Sequence, residues 1–190
     1  MRLVLLVAVV LAAGCGSESS PPSAGTPSGR VEPPPAETTT LEPIPTEPAP
    51  QEGLPAAVEM TRAAIIEAAG AHDYDALAPL IPDSGFTFSY GAGDSATEYW
   101  QDLEAAGETP LDTMAALLAL RHTRAGDIYV WPWAYDRDPA KLTNAQKDAL
   151  AGVGAATREQ LDQMGELGHY LGWRLGIRRD GTWVFFVAGD

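Results

Sequence analysis

The sequence predicts an α+β domain, with helices packed on a small antiparallel sheet, preceded by a signal peptide and a disordered tether. Three observations carry that reading. Apolar residues recur at helical spacing in the early and middle parts of the domain. Alternating aromatic runs flank Asp180-Gly181, a two-residue turn signal that closes a terminal hairpin. Helices and strands alternate along the chain without internal repeats.

The chain starts with Met1-Arg2, eleven apolar residues from Leu3 to Ala13, and then Gly14-Cys15. One positive residue, an apolar core and small residues before the break form the layout of a secretory signal. The run is too short to cross a bilayer, which takes about 20 apolar residues. Leu11-Ala12-Ala13-Gly14-Cys15 resembles the lipobox of bacterial lipoproteins, with Ala12 where a larger aliphatic residue is usual. That resemblance implies cleavage after residue 14 and a lipid on Cys15, on the extracytoplasmic face of the bacterial cell membrane. Cys15 is the only cysteine, so no intramolecular disulfide forms, and a lone thiol there fits a lipid acceptor.

Residues 16–53 hold ten of the sixteen prolines, six glutamates, one arginine and no aromatic residue. This composition buries too little apolar surface to offset ordering entropy and predicts a disordered tether over 15–53. Extended at about 3.1 Å per residue, it reaches roughly 120 Å.

Residues 54–190 form the globular domain and carry every aromatic residue. Ten Lys/Arg stand there against twenty Asp/Glu, which disfavours nucleic acid and a second, electrostatic contact with anionic lipid.

Pro55 suits the first turn of a helix that carries Val58, Thr61, Ile65 and Ala68 and ends at Gly70. Asp73 caps a short helix through Leu77 and Leu80, stopped by Pro82. Phe86-Thr87-Phe88-Ser89-Tyr90 alternates as a strand. Ser95-Ala96-Thr97-Glu98 forms a capping box ahead of Trp100 and Leu103. Thr109-Pro110-Leu111-Asp112 opens another helix carrying Leu111, Met114, Leu117 and Leu118.

The next strand places Tyr129, Trp131, Trp133 and Tyr135 on one face, with Ile128, Val130, Pro132 and Ala134 on the other. Pro132 lacks an N–H, so the strand is expected at an edge or with a bulge. Thr143-Asn144-Ala145-Gln146 and Thr157-Arg158-Glu159-Gln160 start two further helices around Gly152-Val153-Gly154. In the hairpin, a two-residue loop pairs Arg178 with Trp183, Gly176 with Phe185 and Arg174 with Val187 on one surface. Trp173, Leu175 and Ile177 meet Ala188, Phe186 and Val184 on the other, which reads as core. The arginine-bearing surface reads as a pocket wall or as a cation–π stack of Arg178 on Trp183.

A helix, a glycine break, Ala71-His72-Asp73-Tyr74-Asp75-Ala76-Leu77, a short helix and an aromatic strand resemble the opening of NTF2-like, SnoaL-type domains. Gly181-Thr182-Trp183-Val184-Phe185-Phe186-Val187 resembles their last strand. The resemblance implies a curved, cystatin-like sheet over helices with a cone-shaped pocket between. Residues 143–168 depart from it, reading as helix and glycine-rich loop where the family has strands.

Within that family, an enzyme of the isomerase, dehydratase or hydrolase type uses an aspartate base with nearby proton donors. Asp127, His169 and Tyr99 are the catalytic candidates, and Tyr129, Trp131, Trp133 and Arg174 the ligand-binding ones. His72, His122 and His169 lack the spacing of a zinc site, so no metal is expected. No phosphate loop and no Gly-x-Ser-x-Gly elbow appear, and no cofactor is implied. Asp136-Arg137-Asp138 is too short for a calcium loop.

The leading expectation is a membrane-anchored lipoprotein whose domain binds a small apolar ligand or a protein partner without catalysis. The alternatives are an NTF2-like enzyme with an Asp/His acid–base in an aromatic pocket, and a cell-envelope interaction module docking through the Tyr/Trp face. A homodimer is compatible with each.

Overall fold

The computed structural model describes residues 51–88 and 95–189. The signal segment, Cys15 and nearly all of the tether lie outside the described residues, as do Ser89 and Tyr90 of the expected aromatic strand.

Among the described residues, six α-helices pack with a four-stranded antiparallel sheet whose strands lie in chain order. The helices are α1 (Ala56–Gly70), α2 (Tyr74–Leu77), α3 (Ala96–Ala105), α4 (Pro110–Ala119), α5 (Asn144–Gly152) and α6 (Arg158–Leu167). The strands are β1 (Thr123–Ala125), β2 (Ile128–Trp131), β3 (Arg174–Arg178) and β4 (Trp183–Val187). Among the described residues, no helix is long and apolar enough to cross a membrane.

Local chemistry sets the helix boundaries. Thr143 and Thr157 each form a complete capping box, with Gln146 and Gln160 reaching back to the cap amides. Asp73 caps α2 through the Ala76 amide at 2.9 Å, and Ser95 caps α3 through the Glu98 amide at 3.2 Å. At the end of α1, Asp73 N–H donates to Ala68 O and His72 N–H to Ala69 O, a Schellman motif. The left-handed position in that motif is His72, at φ 52°, rather than a glycine. Gly70 is therefore the last helical residue and not the residue that turns the chain.

Arg62 is the surprise on α1. It is buried on the core face beside Val58 and Ile65, and its Nε donates to Leu118 O at 2.9 Å. Gln51 Nε2 donates to Leu118 O and to Leu120 O. A cation and an amide thus satisfy carbonyls at the negative end of α4. Gln51, on the tether side of the expected boundary at residue 54, is docked on the domain.

The core lies between α1, α3, α4 and one face of the sheet. Leu111, Met114, Leu117 and Leu118 of α4 are all fully buried. Tyr129, Trp131, Leu175, Ile177, Trp183 and Phe186 supply the sheet side. Trp100 of α3 stacks on Trp183 with centroids 5.8 Å apart and meets Phe186 edge-on at 5.7 Å. These rings fill the space where the family resemblance implies a cone-shaped pocket.

Four expectations change. The hairpin loop has three residues, because Arg178 N–H bonds Thr182 O and Gly181 N–H bonds Arg178 O. Gly181, at φ 93°, takes the left-handed position after the turn. The register then shifts between Gly176 and Ile177, so Ile177 faces Trp183 instead of Val184. Trp183 consequently joins the core, and Arg178 contacts the carboxylate of Asp127 at 3.4 Å rather than stacking on Trp183.

Second, β2 is interior, between β1 and β3, and Pro132 falls just beyond its end, after a cis Trp131–Pro132 bond. The edge next to β2 is β1, three residues long, which the sequence reading leaves unassigned. Third, the expected four-aromatic face is broken there, because Trp133–Asp136 is a 3₁₀ turn. Tyr129 and Trp131 are buried, Trp133 is half-buried and Tyr135 is exposed, so no continuous Tyr/Trp docking face exists. Fourth, among its described residues the expected strand at 86–90 makes a single parallel bridge, Thr87 to Phe185. Side-chain packing fixes this segment more than a ladder does, since Phe86 meets Trp183 edge-on at 4.9 Å.

Candidate functional site

The sheet face opposite the core carries Val130, Gly176, Phe185, Arg174 and Val187. Phe185 lies flat over Gly176: a Cβ there would meet the ring at 2.4 Å. The glycine gap is thus filled by the cross-strand aromatic. Beside it, an open depression of about 430 Å³ is lined by Thr87, Tyr135, His169, Leu171, Phe185 and Val187, with Tyr170 and Arg174 at its base.

Arg174 is 8% exposed. Its Nη1 donates to Gly172 O at 3.2 Å and its Nη2 to Gly189 O at 2.7 Å, so it ties the chain end to the turn before β3. Tyr170 is buried and donates its hydroxyl to Trp173 O at 3.1 Å. Burial pushes that phenol above its ordinary pKa, with Arg174 opposing, and it stays neutral. The polar groups at the base are occupied, and the lining mixes apolar side chains, Leu171 and Phe185, with polar ones, Thr87, His169 and the hydroxyl-bearing ring of Tyr135.

The structure brings two of the sequence candidates, Arg174 and His169, to this depression. It separates the others. Asp127 sits exposed in the β1–β2 turn, where its backbone oxygen accepts from Arg179 N–H. Tyr99 is on α3, 5.7 Å from the Phe88 ring. Tyr129 and Trp131 belong to the core face. Trp133 lines a different pocket. His169 stands at the rim with no hydrogen bond among the described residues, and no carboxylate lines the depression with it. Among the described residues, no group of three His, Cys, Asp or Glu is placed to hold a metal.

That second pocket was missed by sequence reasoning, which weighed His122 only as a metal ligand. It has about 590 Å³ and is lined by Arg121, His122, Trp133, Arg137, Lys141 and Gln146, among others. The backbone positions it: Trp133 N–H donates to Arg121 O at 2.8 Å, closing the chain reversal around β1 and β2. His122 is clasped between rings, 5.5 Å from both Tyr129 and Trp131. Its Nδ1 lies 3.1 Å from Gln51 Oε1, which also accepts from Trp131 Nε1 at 3.3 Å. Burial and the charges of Arg62 and Arg121 lower the imidazole pKa, with Glu59 opposing.

Comparison with family models, with curated proteins and with solved structures returns no match for this chain. The site must be read from its own chemistry.

Proposed function

We propose that the chain is a lipid-anchored extracytoplasmic binding protein, held by Cys15 and a proline-rich tether, whose domain takes a small apolar ligand without catalysis. We place the ligand on the Arg174 side of the sheet and read the domain as an NTF2-like variant with few strands. The observation that carries the binding reading is the depression beside Phe185, where Leu171, Tyr135 and the Phe185 ring share a mixed lining with His169 and the polar atoms at the base are already bonded. Apolar walls with a few fixed polar groups are what small-molecule sites share. The absence of catalysis is part of the proposal, and it is supported by the separation of Asp127 and Tyr99 from His169.

Titration of the full chain with the uncharged fluorescent probe phenylnaphthylamine tests the binding reading. Saturable binding that Tyr135→Glu abolishes is expected; probe binding unchanged in that variant overturns the site. Cell fractionation of Cys15→Ser tests the anchor separately, with release from the membrane fraction as the expected outcome.

A further inference from the structure

The pocket around His122 has a charge that runs against the rest of the molecule. The chain carries a net charge of −14. Yet Arg121, Arg137 and Lys141 converge on one pocket, against the single carboxylate of Asp138 in its lining. Lys141 contacts Asp138 at 3.2 Å and Arg137 contacts Asp136 at 3.4 Å, both in exposed pairs of small energetic weight. The Arg121 side chain makes no ion pair or hydrogen bond among the described residues. An exposed guanidinium at the pocket wall whose donors no carboxylate among the described residues engages is a ready partner for a planar oxyanion.

The hydrogen-bond network also fixes the proton on His122. Gln51 Nε2 donates to two carbonyls, so its Oε1 is the acceptor facing Trp131 and His122. His122 Nδ1 must then carry the hydrogen. In the neutral ring, Nε2 keeps its lone pair, and it makes no hydrogen bond among the described residues.

We propose that this pocket binds a small oxyanion, a carboxylate or phosphate group, with Arg121 as its principal partner and Arg137 and Lys141 closing around it. The site is separate from the apolar depression and does not depend on it. His122 completes the site by taking a proton onto Nε2 and donating it to the anion. The groups that act on its charge are Arg62 and Glu59 of α1 and the neighbouring Arg121; Arg137, Asp138 and Lys141 line the pocket with it, and Glu52 lies on its other side. Burial leads the lowering of the imidazole pKa and Arg62 adds to it; an anion beside Arg121 offsets the share due to Arg121 and attracts the imidazolium directly. Trp133 supplies an apolar wall on the same pocket, which suits an anion carrying an organic body.

Nuclear magnetic resonance of the full chain, following His122 against pH with inorganic phosphate or with chloride at matched ionic strength, tests this. Phosphate is expected to raise the His122 titration midpoint by about half a pH unit or more, with His169 unmoved. Arg121→Gln should remove most of that response while leaving the fold intact, as judged by the His72 and His169 resonances. A second arm replaces phosphate with phosphatidylglycerol vesicles against phosphatidylcholine vesicles. A response to phosphate assigns a soluble ligand; a response to the anionic vesicles alone assigns a lipid headgroup, and either supports the oxyanion site. No response in both arms, or a phosphate response that Arg121→Gln leaves whole, overturns it.

Discussion

His72 Nδ1 lies 3.1 Å from the Glu104 carboxylate, so the residue that ends α1 is tied to α3. Its other nitrogen, Nε2, lies 3.1 Å from Asp112 of α4. A neutral imidazole has one donor nitrogen, and satisfying two carboxylates requires both to donate. The hydrogen bond to Glu104 is the main cause that raises the His72 pKa, opposed by partial desolvation and aided by Asp112. A raised folded value means the contribution is fully present below the ordinary pKa of 6.5 and lost as pH rises through the folded value. The ring is half-exposed, so screening limits the effect to a few tenths of a kcal/mol. Denaturant midpoints should therefore fall as pH rises from 6 to 8, and the fall should shrink in high salt and vanish in His72→Gln.

His72→Gly separates that ion pair from its backbone position. Glycine takes the left-handed conformation at φ 52° without the cost a side chain carries, which is about 1 kcal/mol. The variant should be more stable than the parent at pH 8, where the ion pair contributes less, and the margin should narrow at pH 5. Unfolding curves at the two pH values check it.

Trp100→Ala tests the aromatic core. The indole is fully buried between Trp183, Phe86 and Phe186. Its removal should cost about 3–5 kcal/mol and lower the thermal midpoint accordingly.

Gly176→Ala couples the sheet to the proposed ligand site. The new methyl would meet the Phe185 ring at 2.4 Å and push it off the sheet, into the depression it lines. A loss of about 1–3 kcal/mol is expected from this overpacking. Phenylnaphthylamine affinity should fall with it, whereas a variant that binds the probe like the parent would separate Phe185 from the site.

Thr143→Ala and Thr157→Ala each break a complete capping box, at about 1 kcal/mol apiece. Loss of helical signal on mild heating, measured by circular dichroism, checks both.

The caps were legible because they are local. Thr143, Thr157, Asp73 and Ser95 each act within three residues, and their chemistry is written in that spacing. The buried side of α4 was legible for the same reason, since helical period alone selects it. The hairpin register was not, because Asp180-Gly181 suits both a two-residue loop and the three-residue loop found here. One residue of difference moved Trp183 into the core. Pro132 was read through its missing N–H, but its place just past β2 depends on Trp133 turning back to Arg121, a contact no local pattern encodes. The pockets were the least legible features. Arg121 and His122 meet Arg137 and Lys141 only through the fold, and Gln51 reaches His122 across 71 residues.

The most direct test of the account is amide chemical-shift mapping on the nitrogen-labelled full chain during titration with phenylnaphthylamine. The account predicts saturable shifts clustered at Tyr135, His169, Leu171, Phe185 and Val187, with Trp100 and Leu117 unmoved. Shifts spread through the Trp100–Trp183 core, or none around Phe185 at saturation, would contradict a ligand site on the Arg174 side of the sheet.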